Sequence, residues 1–321
     1  MQSNLNKRAK APKASLLGPG DAIGCGDSYL VADLLPTEIA DTAFEKLKAE
    51  VKWETMAHRG GEVPRLVAME GEIAEDGSYP VYRFPSDGHP PMLPFSPTVA
   101  LIREHVQKVL KHPVNHVLIQ FYRNGKDAIS DHSDKTIDVV RGSSIVNVSL
   151  GAQRTMTLRL KKDKADVDDP VQHQLDSTPD DAPRQSVSTF GVPRVTQRIP
   201  LPHNSMFVMS LETNAKWLHG INPDNRPLHI KSLEERAEDG ARISLTFRHI
   251  ATFISKDQSL IWGQGATGKT KDQAKKVVYK SEEAKKLLME FGNENQRNDF
   301  KWDAAYGKGF DLLDLLDRNA A

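Results

Sequence analysis

A strand-like run that leads into a His-x-Asp motif constrains the fold of this chain more than any other feature. The run Val117–Tyr122 is apolar, as in a buried β-strand, and a polar turn around Gly125 follows it. The motif itself is formed by His132 and Asp134. In an extended chain, residues two apart point to the same face, so these two side chains can bind one metal ion together. The pattern therefore predicts part of a metal site beside a β-strand.

A third ligand is expected further along the chain, after additional strands. His219 fits this position, because it follows the strand-like run Ser205–Leu211 and the pair Trp217-Leu218. Two histidines and one carboxylate form the facial triad that binds Fe(II) in non-haem oxygenases. A single His-x-Asp motif or a single histidine is more often structural, so the hypothesis depends on the ordered set and on the segment that follows.

The segment Arg242–Arg248 alternates strictly between apolar and polar side chains. On a half-buried strand, the polar face of such a segment contacts solvent. In a barrel, the same face can line the mouth beside a metal. The arginines at its two ends would then suit a dicarboxylate, because a guanidinium can form two hydrogen bonds with one carboxylate. Tyr122 and Gln120 share one face of the first strand, and Tyr122 can donate to a carboxylate oxygen.

Several β-rich runs without regular βα alternation favour an all-β barrel or sandwich core with flanking helices. The runs are Val117–Tyr122, Ser144–Leu150, Thr155–Leu160, Ser205–Ser210 and Ile243–Phe253. Helical spacing of apolar residues predicts helices over 36–50, 97–111 and 271–291, and shorter helical pieces over 233–238 and 310–317.

Composition is that of a soluble globular protein. The chain has 321 residues, of which 38% are hydrophobic and 27% charged, and no apolar run is long enough to cross a membrane. It has a single cysteine and no apolar leader, so we expect a reducing compartment, the nucleus or the cytoplasm. We also expect a monomer. The formal net charge of +0 gives no compositional support for a nucleic-acid partner.

Several motifs occur in a fixed order along residues 62–253. They are Pro64-Arg65-Leu66 with Gly71-Glu72, Tyr122-Arg-Asn-Gly-Lys-Asp127, His132-Ser-Asp134, Ser149-Leu-Gly-Ala-Gln-Arg154, Ile199-Pro-Leu with Met206-Phe-Val-Met209, Trp217-Leu-His219 and Arg242–Arg248. In this order they resemble the AlkB-like Fe(II)/2-oxoglutarate dioxygenases, most closely the eukaryotic nucleic-acid dealkylase branch of that family.

This resemblance implies a fold, a reaction and a set of site residues. The implied fold is mainly β, with a double-stranded β-helix (jelly-roll) core and a nucleotide-recognition lid before it. The implied reaction uses Fe(II), 2-oxoglutarate and O2 to demethylate N-alkylated bases in DNA or RNA oxidatively. The implied metal ligands and catalytic residues are His132, Asp134 and His219. The implied 2-oxoglutarate-binding residues are Tyr122, Gln120, Arg242 and Arg248.

Composition and apolar spacing, together with the resemblance over residues 62–253, predict an organisation of the chain. We expect a disordered basic tail over 1–28 and N-terminal helices with the substrate lid over 29–115. The dioxygenase core is then expected over 116–255, with a loop insertion at 163–196. A C-terminal helical extension over 256–321 would complete the chain.

The chain departs from the family pattern at positions that bear on the substrate. Repair members have an aspartate just after the His-x-Asp motif that reads the damaged base, whereas this chain has Lys135 and Thr136. The family also has asparagine where Gln120 stands. With single-stranded DNA or RNA as the expected partner, the candidate substrate contacts are Arg65, Tyr79, Tyr82, Arg123, Lys135 and Thr136. The alternatives are the same chemistry on a small metabolite or a protein side chain, and a non-catalytic binding module.

Residues Gly263–Thr270 match the Walker A pattern of phosphate-binding loops. A functional loop of this kind needs a buried strand before it, a helix after it and a parallel sheet around it. The remaining residues are too few and too helical to supply such a sheet. We therefore interpret the segment as a glycine-rich connection into a capped helix, with a nucleic-acid phosphate contact near Lys269 as an open alternative.

Overall fold

The core of the molecule contains eight antiparallel strands in two sheets. The computed structural model describes residues 16–313 apart from 19, 59, 60, 87, 163–193 and 280. The predicted tail up to residue 15, nearly all of the predicted 163–196 insertion and the end of the 310–317 segment lie outside the described residues.

The elements of the structure are numbered in chain order. The strands are β1 (Tyr29–Val31), β2 (Ala57–His58), β3 (Gly61–Glu62), β4 (Leu66–Gly71), β5 (Tyr79–Pro80), β6 (Met92–Pro94), β7 (His116–Tyr122), β8 (Ile129–His132), β9 (Ser144–Gly151), β10 (Arg154–Leu160), β11 (Thr196–Leu201), β12 (Ser205–Ser210), β13 (Trp217–Ile221), β14 (Arg242–Arg248), β15 (Thr252–Ile254), β16 (Leu260–Gly263) and β17 (Lys275–Lys276). The α-helices are α1 (Thr37–Glu50), α2 (Pro97–Leu110), α3 (Leu211–Lys216), α4 (Leu233–Arg236), α5 (Ser281–Gln296) and α6 (Trp302–Tyr306). Short 3-10 turns occupy Leu228–Ile230, Ala237–Gly240 and Lys271–Gln273.

The larger sheet has the strand order β1-β12-β9-β14-β7-β4-β6. Alternation along β14 places Ile243, Leu245 and Phe247 in the hydrophobic cluster that also contains the buried residues of α1 and α2. The polar residues of β14 line an internal cavity, so this face contacts the interior of the barrel rather than bulk solvent. The helices predicted over 36–50 and 97–111 are confirmed within one residue.

The smaller sheet has the strand order β11-β10-β13-β8. From β7 to β14 the chain passes from one sheet to the other at every step except between β10 and β11. This connectivity is that of a double-stranded β-helix, and it confirms the predicted jelly-roll core. Met156 and Leu158 of the smaller sheet share a second hydrophobic cluster with Ile145 and Phe207 of the larger sheet, so this cluster joins the two sheets.

The C-terminal extension is partly β-structure, which corrects the prediction of an all-helical extension. β15, β16 and β17 form a third sheet together with β5. The predicted strand Ile243–Phe253 is therefore two strands in different sheets. The helix predicted over 271–291 begins only at Ser281, because Val277 donates its backbone N–H to Ser259 and stays extended. The β-branched pair Val277-Val278 favours this extended backbone.

Residues 263–270 do not form a phosphate-binding loop. A 3-10 turn follows them rather than a capped helix, so our interpretation of this connection is also corrected. The Lys269 Nζ donates to the carbonyl oxygens of Gln264 (3.1 Å) and Ala266 (2.6 Å), inside its own loop. The carbonyl oxygen of Gly265 accepts from the buried Arg83 guanidinium at 2.8 Å. The polar groups of residues 263–270 therefore form hydrogen bonds within the loop and to Arg83, and these bonds attach the C-terminal segment to the rest of the protein.

The described part of the predicted 1–28 tail contacts the barrel, which corrects the tail prediction for residues 16–28. The Leu17 N–H donates to the carbonyl of Arg198 at 2.8 Å, and the Cys25 N–H donates to Thr213 Oγ1 at 2.9 Å. Ile23 is buried in the cluster between the sheets. This single apolar side chain anchors the segment, and the mainly polar composition of the tail gave no indication of it. Among the described helices, none is both long and apolar enough to span a membrane.

Candidate active site

The smaller sheet brings the three predicted metal ligands together. β8 and β13 are neighbours, and His132 lies directly opposite His219 across the pair. Asp134 follows two residues after His132. One potential ligand atom from each residue lies within 4.8 Å of the other two, and His132 Nε2 is 3.8 Å from Asp134 Oδ1. The geometry therefore suits a single metal ion with two histidines and one carboxylate as ligands.

Local contacts put these ligands in the protonation states that bind metal. His132 Nδ1 lies 2.8 Å from the carbonyl oxygen of Ser130, which only a protonated Nδ1 can satisfy. Burial lowers the pKa of His132 and lowers the pKa of His219 to about 3. Burial alone would raise the pKa of Asp134, but the Arg248 guanidinium and the two imidazoles bring it below its usual value. At neutral pH the histidines are neutral and the aspartate is ionised, as metal binding requires.

Asp134 is held through its backbone as well as its side chain. The Asp134 N–H donates to Asn214 Oδ1 at 2.9 Å, and Asn214 Nδ2 donates back to the Asp134 carbonyl at 2.9 Å. Asn214 lies on α3, directly before β13. This reciprocal pair fixes the turn after His132 to the element that carries His219, so the ligands from the two strands keep a constant separation.

Arg242 presents a buried guanidinium with an unused donor. Its Nε donates to Ser149 Oγ at 2.8 Å and its Nη2 to Asn147 Oδ1 at 2.9 Å. Its Nη1 is buried without a hydrogen-bond partner among the described residues. Burial lowers the pKa of Arg242 to about 10, so the group stays charged at neutral pH. The Tyr122 hydroxyl, which donates to Gln120 Oε1 at 3.1 Å, lies beside it. Such a fixed cation with a free N–H is suited to a carboxylate.

The site surrounds a cavity of about 820 Å³. The three ligands line it together with Gln120, Tyr122, Arg242 and Arg248. One wall comes from α5, through Leu288, Phe291, Gly292, Asn295 and Gln296. Met56, Val63 and Pro64 flank the β2–β3 hairpin and line another part. The cavity is therefore lined on one side by residues of the segment predicted as a lid and on another by the C-terminal extension.

Arg65, Tyr82 and Lys135, three of the predicted substrate contacts, line this cavity. Arg65 Nη1 donates to the carbonyl of Ala128 at 3.0 Å, and its Nε is buried without a partner among the described residues. The Tyr82 ring lies 4.0 Å from the Arg248 guanidinium, and its hydroxyl accepts from the Lys135 N–H at 3.2 Å. Lys135 itself is only 6% exposed.

The other three predicted contacts, Tyr79, Arg123 and Thr136, are not among the described residues that line the cavity. The Tyr79 hydroxyl accepts from Gln258 Nε2 at 2.8 Å in the third sheet. Arg123 forms an ion pair with Asp127, with 2.8 Å between Nε and Oδ2. Thr136 is turned toward α5. These side chains stabilise neighbouring segments in the structure and do not contact the ligand space.

Sequence reasoning missed several residues that shape the site. They are Ser130, Asn147, Ser149, Asn214 and the cavity-lining residues of α5. Asn147 and Ser149 lie two apart on a correctly predicted strand, so the alternation of its polar face was an available signal. Asn214 and α5 had no such signal, because their contacts join positions far apart in the chain.

The chain is similar to known proteins over most of its length. The model of the 2OG-Fe(II) oxygenase superfamily matches residues 27–248. The human DNA oxidative demethylase ALKBH2 is 30% identical over 236 residues, which are 71% of this chain and 75% of that protein. The bovine alpha-ketoglutarate-dependent dioxygenase alkB homolog 3 is 28% identical over 215 residues, 66% of this chain and 62% of that protein. Among solved structures, that of OsALKBH1 aligns with 73% of this chain and 100% of that chain, at 16% identity and a TM-score of 0.42.

The matched region includes every strand of the jelly-roll core, the His-Asp-His cluster and both arginines of β14. A match of this extent, with the site geometry intact, defines the family. The chain therefore belongs to the 2OG-Fe(II) oxygenase superfamily and is an AlkB-like 2-oxoglutarate-dependent dioxygenase, with Fe(II) as its metal and O2 as its second cosubstrate.

Proposed function

We propose that this enzyme removes N-alkyl groups from bases in DNA or RNA, with single-stranded substrates preferred. One of its relatives is named a DNA oxidative demethylase, and the metal-binding geometry supports the same chemistry. Fe(II), 2-oxoglutarate and O2 supply the oxidation, which yields succinate and CO2 and hydroxylates the N-alkyl carbon, so that the alkyl group leaves as an aldehyde. We further infer a monomer that acts in the nucleus or the cytoplasm.

The observation that carries this proposal is the ligand cluster inside the cavity. His132, Asp134 and His219 hold the iron in the proposed enzyme. The Ser130 carbonyl orients the His132 ring, and burial favours the neutral form of both histidines, without the metal. Ligand atoms that already lie within 4.8 Å of one another lower the ordering cost of metal binding.

Arg242 and Tyr122 hold the distal carboxylate of 2-oxoglutarate in this proposal. The unpaired Nη1 of Arg242 supports that role, because a buried guanidinium N–H without a partner is costly unless a ligand accepts from it. Gln120 lines the cavity beside Tyr122 and positions its hydroxyl. Arg248 contacts Asp134, so it lies on the metal side of the cavity, where the chelating end of 2-oxoglutarate is expected.

The rest of the cavity is available for the base that reacts. Its volume of about 820 Å³ lies in the range of about 300–1,000 Å³ that is usual for ligand pockets. Tyr82 and Phe84 are aromatic cavity residues on which a base could stack, and Arg65 has a free Nε. Bases of single-stranded nucleic acid are already unpaired, so they can enter such a pocket without disruption of a duplex.

The test is formaldehyde and succinate release in the presence of Fe(II) and 2-oxoglutarate. The substrates are single-stranded oligonucleotides that each carry one N-methylated base, and the bases include 1-methyladenine, 3-methylcytosine and N6-methyladenine as well as 1-methylhypoxanthine and 3-methyluracil. We expect coupled release of both products from wild type and none from His132→Ala. His229→Ala, which removes an exposed histidine of Leu228–Ile230, is the matched control and should retain activity.

The same assay separates the proposal from its alternative. A small metabolite or a protein side chain remains the second candidate, because the net charge is +0 and Lys135 follows the motif. If wild type converts 2-oxoglutarate to succinate without a substrate but releases formaldehyde from no oligonucleotide, nucleic-acid demethylation is ruled out and the second candidate stands. Absence of both activities and of metal binding would contradict the residue assignments.

A further inference from the structure

The C-terminal helix α5 forms part of the substrate space although it lies outside the region that matches the family model, residues 27–248. Phe291 is buried, and Leu288 and Asn295 line the cavity from the same face of the helix. Residues three and four apart on a helix are neighbours, so these side chains form one continuous wall. This wall is a property of this chain and not of the matched family core.

The wall is fixed to the turn that follows the metal ligands. Glu294 accepts from the Thr136 N–H at 3.0 Å, and it also accepts from the Thr136 hydroxyl. Tyr306 of α6 donates to the other carboxylate oxygen of Glu294 at 2.8 Å. Lys161 Nζ donates to the Glu294 carbonyl at 2.6 Å. Since Glu294, Lys161 and Tyr306 are buried, α5 is a fixed wall of the cavity rather than a loosely attached cover.

Lys135 and Asn295 meet where this wall reaches the metal site. Lys135 Nζ donates to the Ser133 carbonyl at 3.1 Å and to Asn295 Oδ1 at 3.4 Å. An ammonium group has three donors, so one remains free in a side chain that lines the cavity. Lys135 is only 6% exposed, so that donor has little access to bulk solvent.

The Asn295 amide is also left with free donors only. Its Oδ1 accepts from the Ser133 backbone N–H at 2.9 Å, and only an oxygen can face an N–H at that position. Its Nδ2 is therefore on the other side of the amide, where it has no hydrogen bond to any of the described residues, and Asn295 lines the cavity. Two of the described acidic residues line the cavity, Asp131 and Asp134. Asp131 forms an ion pair with Arg159, with 3.2 Å between Oδ2 and Nε. Where Lys135 and Asn295 meet, the wall next to the metal site thus presents free hydrogen-bond donors to the cavity.

We propose that Lys135 and Asn295 are specificity-determining residues that select N-methylated bases with a carbonyl oxygen in place of the exocyclic amino group, at position 6 of a purine or position 4 of a pyrimidine, such as 1-methylhypoxanthine and 3-methyluracil. A carbonyl oxygen accepts from both donors, whereas the exocyclic amino group of 1-methyladenine or 3-methylcytosine is itself a donor. Those two amino bases also carry a positive charge, which a nearby ammonium group disfavours. A site built to form a hydrogen bond discriminates strongly against the analogue that lacks its partner.

This inference rests on the proposed function, and matched substrates keep the two separable. 1-Methylhypoxanthine and 1-methyladenine differ only at position 6, and 3-methyluracil and 3-methylcytosine differ only at position 4. We expect wild type to demethylate the oxo base of each pair with the higher kcat/KM, by about 10- to 100-fold. If all four bases are demethylated but the amino bases are preferred, the inference fails and the proposed function stands. If none is demethylated, both fail.

Substitutions then test which residues are responsible. Lys135→Met removes the donor and keeps the length of the side chain, so the preference for oxo bases should fall by about 10-fold or more. Lys285→Met, on the exposed face of α5, is the matched control and should keep the preference of wild type. A Lys135→Met enzyme that keeps this preference would overturn the inference.

Asn295→Asp provides a second test that leaves Lys135 in place. The carboxylate retains an oxygen for the Ser133 N–H and replaces the free amide donor with an acceptor. We expect the preference to shift toward the amino bases. The same shift should be visible without turnover, as a changed ratio of oligonucleotide Kd values in fluorescence anisotropy of the iron-free protein. An unchanged Kd ratio in both variants would contradict the assigned roles.

Discussion

Arg248 pairs with only one of the two carboxylate oxygens of Asp134. Arg248 Nη2 and Nε donate to Oδ2 at 2.8 Å and 3.2 Å, whereas Oδ1 lies 3.8 Å from His132 Nε2. The side chains of the pair are only 2% and 5% exposed. The arginine thus keeps the carboxylate ionised and oriented, and it leaves the oxygen next to the histidine available to a metal ion.

This pairing predicts a large effect of Arg248→Met on the stability of the metal-free protein. Removal of one partner leaves a buried carboxylate without compensation, which costs about 3–5 kcal/mol in the free energy of unfolding. Urea denaturation in the presence of a chelator measures this loss. The double variant Asp134→Asn with Arg248→Met should lose less unfolding free energy than the two single variants lose together. The reason is that the asparagine at position 134 would carry no buried charge for Arg248 to compensate. Strictly additive losses would show that the pair is not coupled.

Arg242→Met is expected to weaken 2-oxoglutarate binding selectively. The loss of a charge-assisted hydrogen bond corresponds to about 1.5–3 kcal/mol, or a rise of about 10- to 150-fold in the KM for 2-oxoglutarate. Stabilisation by 2-oxoglutarate in thermal melts of the Mn(II)-loaded protein should be lost as well. Arg226→Met, which breaks a half-exposed ion pair with Asp224, is the matched control. An unchanged KM would assign the carboxylate to another residue.

The strands that carry the site were predictable where they alternate strictly. The predicted strand Val117–Tyr122 matches β7 within one residue. The alternating segment Arg242–Arg248 coincides with β14, although the predicted strand continued to Phe253. Both segments are buried on both faces, so the side chains on each face follow a pattern that the sequence shows. β8, β11 and β13 were not predicted as strands. They are short and contain polar residues, Pro200 or Gly220, so their conformation depends on pairing with neighbours rather than on local pattern.

The position of α5 shows a second limit of prediction from sequence. Its amphipathic pattern indicated a helix, but no local pattern indicates which surface a distant helix covers. The contact of Glu294 with Thr136 joins residues 158 positions apart, and it exists only in the folded chain. The difference between Tyr79 and Tyr82 has the same origin, since pairing of β5 with β15 takes the first tyrosine away from the cavity.

Arg83 connects the barrel to the C-terminal segment, and its replacement by methionine should be strongly destabilising. Its guanidinium contacts Asp138 at 2.6 Å with both side chains 0% exposed, and it donates to the carbonyls of Phe310 and Gly265. We expect a loss of about 3–5 kcal/mol in the free energy of unfolding, measured with urea. Arg141→Met breaks an exposed pair with Asp303 and should cost at most about 1 kcal/mol. Equal losses in the two variants would contradict this account.

His116 is expected to contribute to the pH dependence of the free energy of unfolding. It is buried with both ring nitrogens unpaired among the described residues, and burial together with Arg248 holds its pKa well below the usual 6.5. It stays neutral when folded but takes up a proton when unfolded, so it lowers stability as the pH falls below about 6.5. His116→Leu should reduce the slope of the unfolding free energy against pH by up to about 1.4 kcal/mol per pH unit below pH 6. His229→Leu, at an exposed position, should leave the slope unchanged, and urea denaturation from pH 4.5 to 7.5 measures both. An identical slope in His116→Leu and wild type would show that His116 is protonated in the folded protein as well.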